Sequence, residues 1–419
     1  MSDRGSGAAA VEVDVAIVGG GLVGASLVAA LGASGLKVAL IEGAAADAAR
    51  QPSFDDRTTA LGNGSRRIFE SLGLWEAIGP SSAPIRRIHV SDAGRYGFAR
   101  LEAQALELDA FGFVVTNRVL GAALRARLAA LPALESRMPA RCTAVTIHED
   151  CVELHTDPGG LPLRARLAVA ADGAGSQLRA AAGLAASEED YGQVAVVAHV
   201  LAAQPAEGTA YERFTPQGPF AVLPMVGGAW GVVWTLAPAD AQRVLALPDA
   251  QYLAALQQAF GWRVGRFLRV GTRSAYPLKL VRAAQVTGQR VALVGNAAQG
   301  LHPVAGQGFN LGLRDAATLA ELLIAARGDG TAAADPGTPA LLAEYAARRA
   351  SDRDGMVRFT DGLVKLFGDQ RPGVPWLRDL GLLMFDLSPT AKRAMSRLSW
   401  GFGDRAPRLA SGARPVAGP

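Results

Sequence analysis

Along the chain, short runs apolar at nearly every position alternate with stretches apolar at every second, third or fourth position. Val13 to Val18, apolar except for Asp14, reads as a buried parallel strand. Ala25 to Ser34 reads as a helix of small and apolar residues, and Lys37 to Ile41 as a second buried strand. Leu167 to Ala171 and Val291 to Val294 repeat the pattern of a buried strand entering a glycine-rich turn, and a helix from about Phe309 to Ala326 follows the second. Between them the pattern changes. Gln193 to Ala202, Thr209 to Phe214, Phe220 to Met225 and Ala229 to Leu236 read as strands with apolar or alternating faces, separated by Gln217-Gly218-Pro219 and Gly227-Gly228. Ile85 to Val90 and Gly97 to Arg100 add strands to that sheet. Ser65 to Leu72 and Asp249 to Phe260 are helical, and Trp376, Leu380 and Met384 have helical spacing near the end.

The first turn carries the sharpest chemistry. Gly19-Gly20-Gly21-Leu22-Val23-Gly24 joins strand to helix, and Glu42 ends the next strand, 18 residues after Gly24. In such a G-x-G-x-x-G turn Gly19 allows the tight bend, Gly21 the close approach of a pyrophosphate, and Gly24 close helix–strand packing. The helix N-terminus offers free N–H groups to the phosphates. Glu42 lies where a carboxylate accepts ribose hydroxyls, which disfavours a 2′-phosphate. This much predicts a dinucleotide site without separating FAD from NAD.

Composition narrows the classes. Half of the 419 residues are hydrophobic, so the chain can bury a sizeable core. Forty-two Lys and Arg against 38 Asp and Glu leave a net charge of +4, too balanced for a nucleic-acid binder. Two cysteines, Cys142 and Cys151, are too few for a disulfide framework or a multi-cysteine metal site, and the other histidines (His89, His148, His155, His199) fit no ligand spacing. With no signal-peptide stretch and no uninterrupted run of about 20 apolar residues, the expectation is a cytoplasmic protein without a metal.

Three further segments carry a resemblance: Asp55-Asp56-Arg57-Thr58-Thr59-Ala60-Leu61; Ala171-Asp172-Gly173-Ala174-Gly175-Ser176, continuing to Arg179; and Gly295-Asn296-Ala297-Ala298-Gln299 followed by His302-Pro303-Val304-Ala305-Gly306-Gln307-Gly308-Phe309-Asn310-Leu311-Gly312-Leu313-Arg314-Asp315. In this order and at these intervals, over about residues 12–400, the chain resembles the FAD-dependent aromatic hydroxylases of the p-hydroxybenzoate hydroxylase fold, and more narrowly their ubiquinone-biosynthesis branch. Residues 295–299 look most like the 2-polyprenyl-6-methoxyphenol hydroxylases, although most relatives carry Asp in place of Asn296 and many carry His in place of Gln299.

The resemblance implies an α/β fold: a Rossmann-like FAD-binding domain (11–80, 111–185 and 275–345), a mixed or antiparallel-sheet substrate domain (81–110 and 186–274), a helical C-terminus (346–402) and flexible tails (1–10 and 403–419). It implies an NAD(P)H- and O2-dependent monooxygenase acting on a polyprenylated phenol through a C4a-hydroperoxyflavin. FAD would be bound by Gly19, Gly21, Gly24, Glu42, Arg57, Arg118, Asp172, Asn296, Gly306, Gln307, Gly308 and Asn310. His302, Pro303 and Gly306 would stand at the reacting centre, His302 more as a brace of its loop than as a proton donor. Phe220, Leu223 and Pro224 would face the phenol.

Two alternatives stay open on sequence: a hydroxylase of a soluble phenol, and a non-catalytic FAD-binding subunit of a biosynthetic complex. The tail also has two readings. Its apolar residues, followed by Lys392, Arg393, Arg397, Arg405 and Arg408, suit peripheral contact with the inner face of the plasma membrane or a partner in a ubiquinone-biosynthesis complex; the favoured reading packs them on the FAD domain.

Overall fold

A computed structural model of the chain describes residues 11–45, 54–158, 160–327, 335–369, 371–393 and 407–412. Five parallel strands form the centre of the first sheet, in the spatial order Val291–Leu293, Leu163–Ala170, Val11–Val18, Val38–Ile41 and Glu135–Arg137. Val15, Ala16 and Ile17 are almost wholly buried because both faces of this sheet are covered, and this is why their run is apolar without alternation. The helices Leu22–Leu31 and Gln307–Arg327 lie against each other beside the sheet. Small residues permit this approach: a Cβ on Gly312 would stand 2.9 Å from the Gly295 Cα.

The second sheet has nine strands. Its main path runs Gln299–Gly300, Ser274–Ala283, Ala186–Ala202, Trp230–Leu236, Gly218–Pro224, Thr209–Thr215, Arg87–Asp92 and Phe98–Glu102. It is antiparallel except where Thr209–Thr215 meets Arg87–Asp92 in parallel, so it is mixed. One face packs on helices Pro238–Leu245 and Asp249–Phe260 through an aromatic core of Phe220, Trp234, Tyr252 and Phe260. The other face turns toward the first domain. A three-stranded sheet of Thr58–Gly62, Gly112–Thr116 and Ala83–Ile85 joins the two.

Four expectations shift. Ala275–Leu278 does not return to the first domain; it lies in strand Ser274–Ala283, which pairs along the 17-residue strand Ala186–Ala202 as far as Ala283. Helix Pro339–Gly368 spans the boundary drawn at 346, and helix Val374–Leu387 packs on strand Phe98–Glu102 of the second sheet rather than on the FAD domain. Two polar ties fix it there: Arg378 donates to Asp92 from Nε at 2.8 Å, and Arg100 N–H donates to Asp386 at 2.7 Å. Residues 407–412, expected in a flexible tail, dock on the first domain. Leu409 is buried there, its N–H donates to Glu321, and its carbonyl accepts from Ser71. The segment 1–10, Arg397 and Arg405 lie outside the described residues.

Candidate active site

One continuous cavity of about 1280 Å³ runs from Glu42 to helix Val374–Leu387, between the two sheets. Sites for single drug-sized ligands are about 300–1,000 Å³, so this space suits a dinucleotide together with a second ligand.

The nucleotide end is built from backbone. Gly19 has φ +104°, and a Cβ there would meet the Ala171 carbonyl at 2.5 Å. A Cβ on Gly24 would stand 1.9 Å from the Gly19 carbonyl oxygen, so Gly24 shapes the turn without lining the cavity. Gly21 and the first turn of helix Leu22–Leu31 border the space, and no side chain caps that turn. Its free N–H groups are available to an anion. Glu42 is held by Gly20 N–H at 2.5 Å and Ala44 N–H at 2.8 Å, and it lines the cavity with acceptor capacity remaining.

Asp172 accepts from Gln177 N–H at 2.8 Å through Oδ2, at the start of helix Gln177–Ala181. Its Oδ1 is buried without a partner among the described residues, on the cavity wall. Gly173 and Gly175 border the same space, and a Cβ on either would meet no described atom within 4 Å. A buried acceptor lacking a donor is costly, and a ligand hydroxyl or amide in the cavity would satisfy it.

The third segment is braced from behind. Asp315 accepts from Gly295 N–H at 3.1 Å and Gln299 Nε2 at 2.6 Å, and it pairs with Arg349 at 2.7 Å with both side chains about 1% exposed. Arg349 also reaches Asp352, which pairs with Arg314. The two arginines hold the Asp352 carboxyl down to about 2 against the opposing effect of burial. Arg314 and Asp315, adjacent in sequence, thus each pair with the next helix, Pro339–Gly368, rather than with one another. Gln299 is a strut of this loop.

His302 is fully buried and does not reach the cavity. Its Nδ1 accepts from Val304 N–H at 3.2 Å, which leaves Nε2 protonated and facing Gln193 Oε1 at 3.3 Å. Burial lowers its pKa to about 4, so the ring is neutral. Pro303, Gly306, Gln307, Gly308 and Asn296 do line the cavity. Gly306 has φ +62°, and helix Gln307–Arg327 starts directly at the cavity. Asn310 stands behind this wall: Oδ1 accepts from Gly62 N–H and Ser65 Oγ, and Nδ2 donates to the Ala60 and Gly306 carbonyls. Arg57 lines the space, pairs with Asp55 at 2.6 Å and lies over the Tyr276 ring. Arg118 is exposed, paired with Asp56, and outside the lining.

Among the three residues expected at the phenol, Leu223 alone faces the cavity. Phe220 is fully buried in the aromatic core on the opposite side of the sheet, and Pro224 lies on that side too, because successive strand residues alternate. Pro219 and Ala221 take the inward places. Pattern reasoning also missed Ala210, Glu212 and Phe214 on the neighbouring strand. An acid at an inward position of an alternating strand, as at Glu212, is the signal that would have drawn attention there. Cys142 lines the nucleotide end, and burial pushes its thiol up to about 11, so it is inert.

The residues therefore fit an FAD molecule. Glycines that open a cradle, an unpartnered Asp172 oxygen and two helix N-termini lie along one elongated cavity. Among the described residues no group of His, Cys, Asp and Glu could hold a metal ion, and no helix is long and apolar enough to cross a membrane.

Comparison with known proteins agrees. Residues 12–360 match the family model described as FAD binding domain. The chain is 42% identical over 410 residues to the ubiquinone hydroxylase UbiL of Rhodospirillum rubrum, covering 97% of this chain and 94% of that one. It is 33% identical to the 3-demethoxyubiquinol 3-hydroxylase of Escherichia coli, covering 93% and 98%. Among solved structures, the p-nitrophenol 4-monooxygenase PnpA of Pseudomonas putida superposes with a TM-score of 0.75 at 22% identity, covering 97% of this chain and all of that one, which shows a shared fold.

Proposed function

The chain belongs to the FAD binding domain family, and we propose that it is an FAD-dependent monooxygenase that hydroxylates the ring of a polyprenylated phenol in ubiquinone biosynthesis. The observation that carries this reading is the single cavity, glycine-built at the Glu42 end and apolar at the other. FAD bound there would supply the redox chemistry, taking electrons from NADH or NADPH and activating O2 for insertion into an electron-rich ring.

The protein's part is binding, orientation and exclusion of water. Glu42 and the turn Gly19–Gly24 would hold the adenosine and diphosphate, and Asp172, Arg57, Asn296 and the backbone of 306–308 would hold the rest. The N-terminus of helix Gln307–Arg327 opens on this half and would favour negative charge on a flavin bound there. His302, neutral and hydrogen-bonded at both nitrogens, keeps Val304 in place. Leu101, Phe111, Leu223 and Phe385 make the far half dry enough for an apolar phenol.

The polyprenyl tail must leave this half, and helix Val374–Leu387 forms its outer wall. Leu377 lines the cavity and is itself exposed; Trp376, Leu380, Met384 and Leu387 continue the apolar face outward. Arg393 is exposed beyond the end of this helix, whereas Lys365 pairs with Glu189 and Asp361 and Arg371 pairs with Asp369. An apolar face continuous with the cavity suits a bilayer, from which the substrate would enter directly.

The test is FAD-loaded protein with NADH or NADPH, labelled O2 and a short-chain prenylphenol. Label in the ring with matching NAD(P)H oxidation is expected; a protein that takes up FAD yet yields no labelled product would be a binding subunit. For the membrane face, Trp376→Asp with Met384→Asp should cut co-sedimentation with phosphatidylglycerol vesicles at least about tenfold while leaving flavin content unchanged. Equal retention of variant and wild type would remove the membrane from the proposal.

A further inference from the structure

Among the described residues six charged ones border the cavity: Glu42, Arg57, Arg141, Asp172, Glu212 and Arg378. Glu42 and Asp172 accept backbone N–H groups, Arg57 pairs with Asp55, and Arg378 pairs with Asp92. Arg141 is exposed beside Gly43 at the nucleotide end. Glu212 differs from all of them. It sits in the middle of strand Thr209–Thr215, and its side chain has no ion pair or hydrogen bond among the described residues.

Its flanking residues tie it to the 304–306 loop. Ala210 and Phe214 flank it at two residues on the same face, and both line the cavity. Phe214 packs in one cluster with Val304, and Ala210 in another that includes Ala60. Ala60 in turn lies against Gly306, where an added Cβ would come within 3.2 Å of it. Across the sheet Glu212 is in register with Ala221 and, on the parallel side, with Val90, small or apolar neighbours that both line the cavity. Glu212 is half-buried on the cavity wall, and burial pushes its carboxyl up to about 7.

An unpaired carboxyl on an apolar wall destabilises the fold, so it calls for a ligand with a donor. Taking the hydroxylase reading above as given, we infer that Glu212 is the substrate's polar anchor: its carboxyl oxygen accepts a hydrogen bond from the phenolic hydroxyl and so sets which ring carbon faces the 304–308 loop. The apolar wall supplies affinity without direction, whereas one hydrogen bond to a fixed acceptor fixes the ring's rotation. In its ionised or neutral form Glu212 keeps a free acceptor oxygen.

The test is equilibrium binding to the FAD-loaded protein, read by flavin fluorescence without NAD(P)H. The probes are 2-geranylphenol and its O-methyl ether, which differ in one donor hydrogen. Wild type should bind the phenol about 10- to 100-fold more tightly than the ether, the range of a hydrogen bond to a charged group. In Glu212→Leu the preference should collapse to less than about threefold through loss of phenol affinity alone, and Glu212→Gln, which keeps an acceptor, should restore much of it. No phenol preference in wild type, or the same preference in Glu212→Leu, overturns the anchor. The ratio is read without turnover. A preference that collapses on Glu212→Leu in a protein that forms no hydroxylated product would leave the anchor standing and remove the hydroxylase reading. Product formation with an unchanged ratio would do the reverse.

Discussion

The two ends of the cavity are made of different material. At the nucleotide end the recognition groups are backbone N–H groups and carboxylates tied to them, brought together by turns that lie within a few residues of each strand end. At the phenol end they are side chains from strands and helices scattered between residues 85 and 385, and none belongs to a motif. The first end tolerates little change at Gly19 and Gly24, where an added Cβ would collide with backbone. The second is a largely apolar wall that carries Glu212.

The contrast can be broken most severely at Gly24. Gly24→Val pushes a Cβ into the Gly19 carbonyl at 1.9 Å; a loss of about 4 kcal/mol or more and absence of bound flavin are expected, measured by urea unfolding and by the visible spectrum. Leu223→Ala, at the other end, should keep the flavin. Retained flavin in Gly24→Val would show that the turn is not the rigid part.

Next in size is the network behind the loop. Arg349→Met leaves Asp315 buried without its cation, and breaking such a pair costs about 3 kcal/mol. The chemical-denaturation midpoint checks this, and flavin release should accompany it because Asp315 holds Gly295 and Gln299.

His302 sets a pH dependence. Its folded value of about 4 lies below the unfolded 6.5, so the fold prefers the neutral ring. That contribution is complete above pH 6.5 and is lost as pH falls toward 4, with about 2 kcal/mol gone at pH 5. Comparing unfolding free energies at pH 7 and pH 5 for wild type and His302→Gln isolates it; an equal fall in both would exclude His302 as the source.

The smallest effect sharpens the phenol end. Glu212 has a folded value of about 7 against 4.5 unfolded, so it weakens the fold as pH rises from 4.5 through 7. Glu212→Gln should stabilise the apoprotein at pH 8 by about 1–2 kcal/mol, less than the full shift because cavity water reaches the carboxyl. Thermal unfolding at pH 8 and pH 5 should show the gain at the higher pH alone. A residue that costs stability where it stands is retained for what it binds.

Much of the fold was readable in advance. Helix Asp249–Phe260 and the strands around 209–236 lie where periodicity predicts them, because alternation and heptad-like spacing are local properties of a half-buried element. The inward face of strand Gly218–Pro224 was not. Phe220 and Pro224 are as apolar as Leu223, and both faces of that strand are covered, one by helices and one by the cavity, so hydrophobicity carries no sign. Asn310 and His302 sit within motif segments and the resemblance implied Arg118, yet the fold turns Arg118 to solvent and uses the other two as internal braces. The helix Val374–Leu387 showed its amphipathic spacing in sequence, but its partner is strand Phe98–Glu102, nearly three hundred residues away.

Sequence alone determined the dinucleotide turn, its acid and the family of the fold, because a tight glycine turn between a strand and a helix is specified by residues that are neighbours in the chain. Tertiary structure decided which side of each strand meets the ligand, which charges are paired and that Glu212 is left without a partner among the described residues. Those depend on what the opposite surface supplies, and no local pattern records the surface a side chain will face.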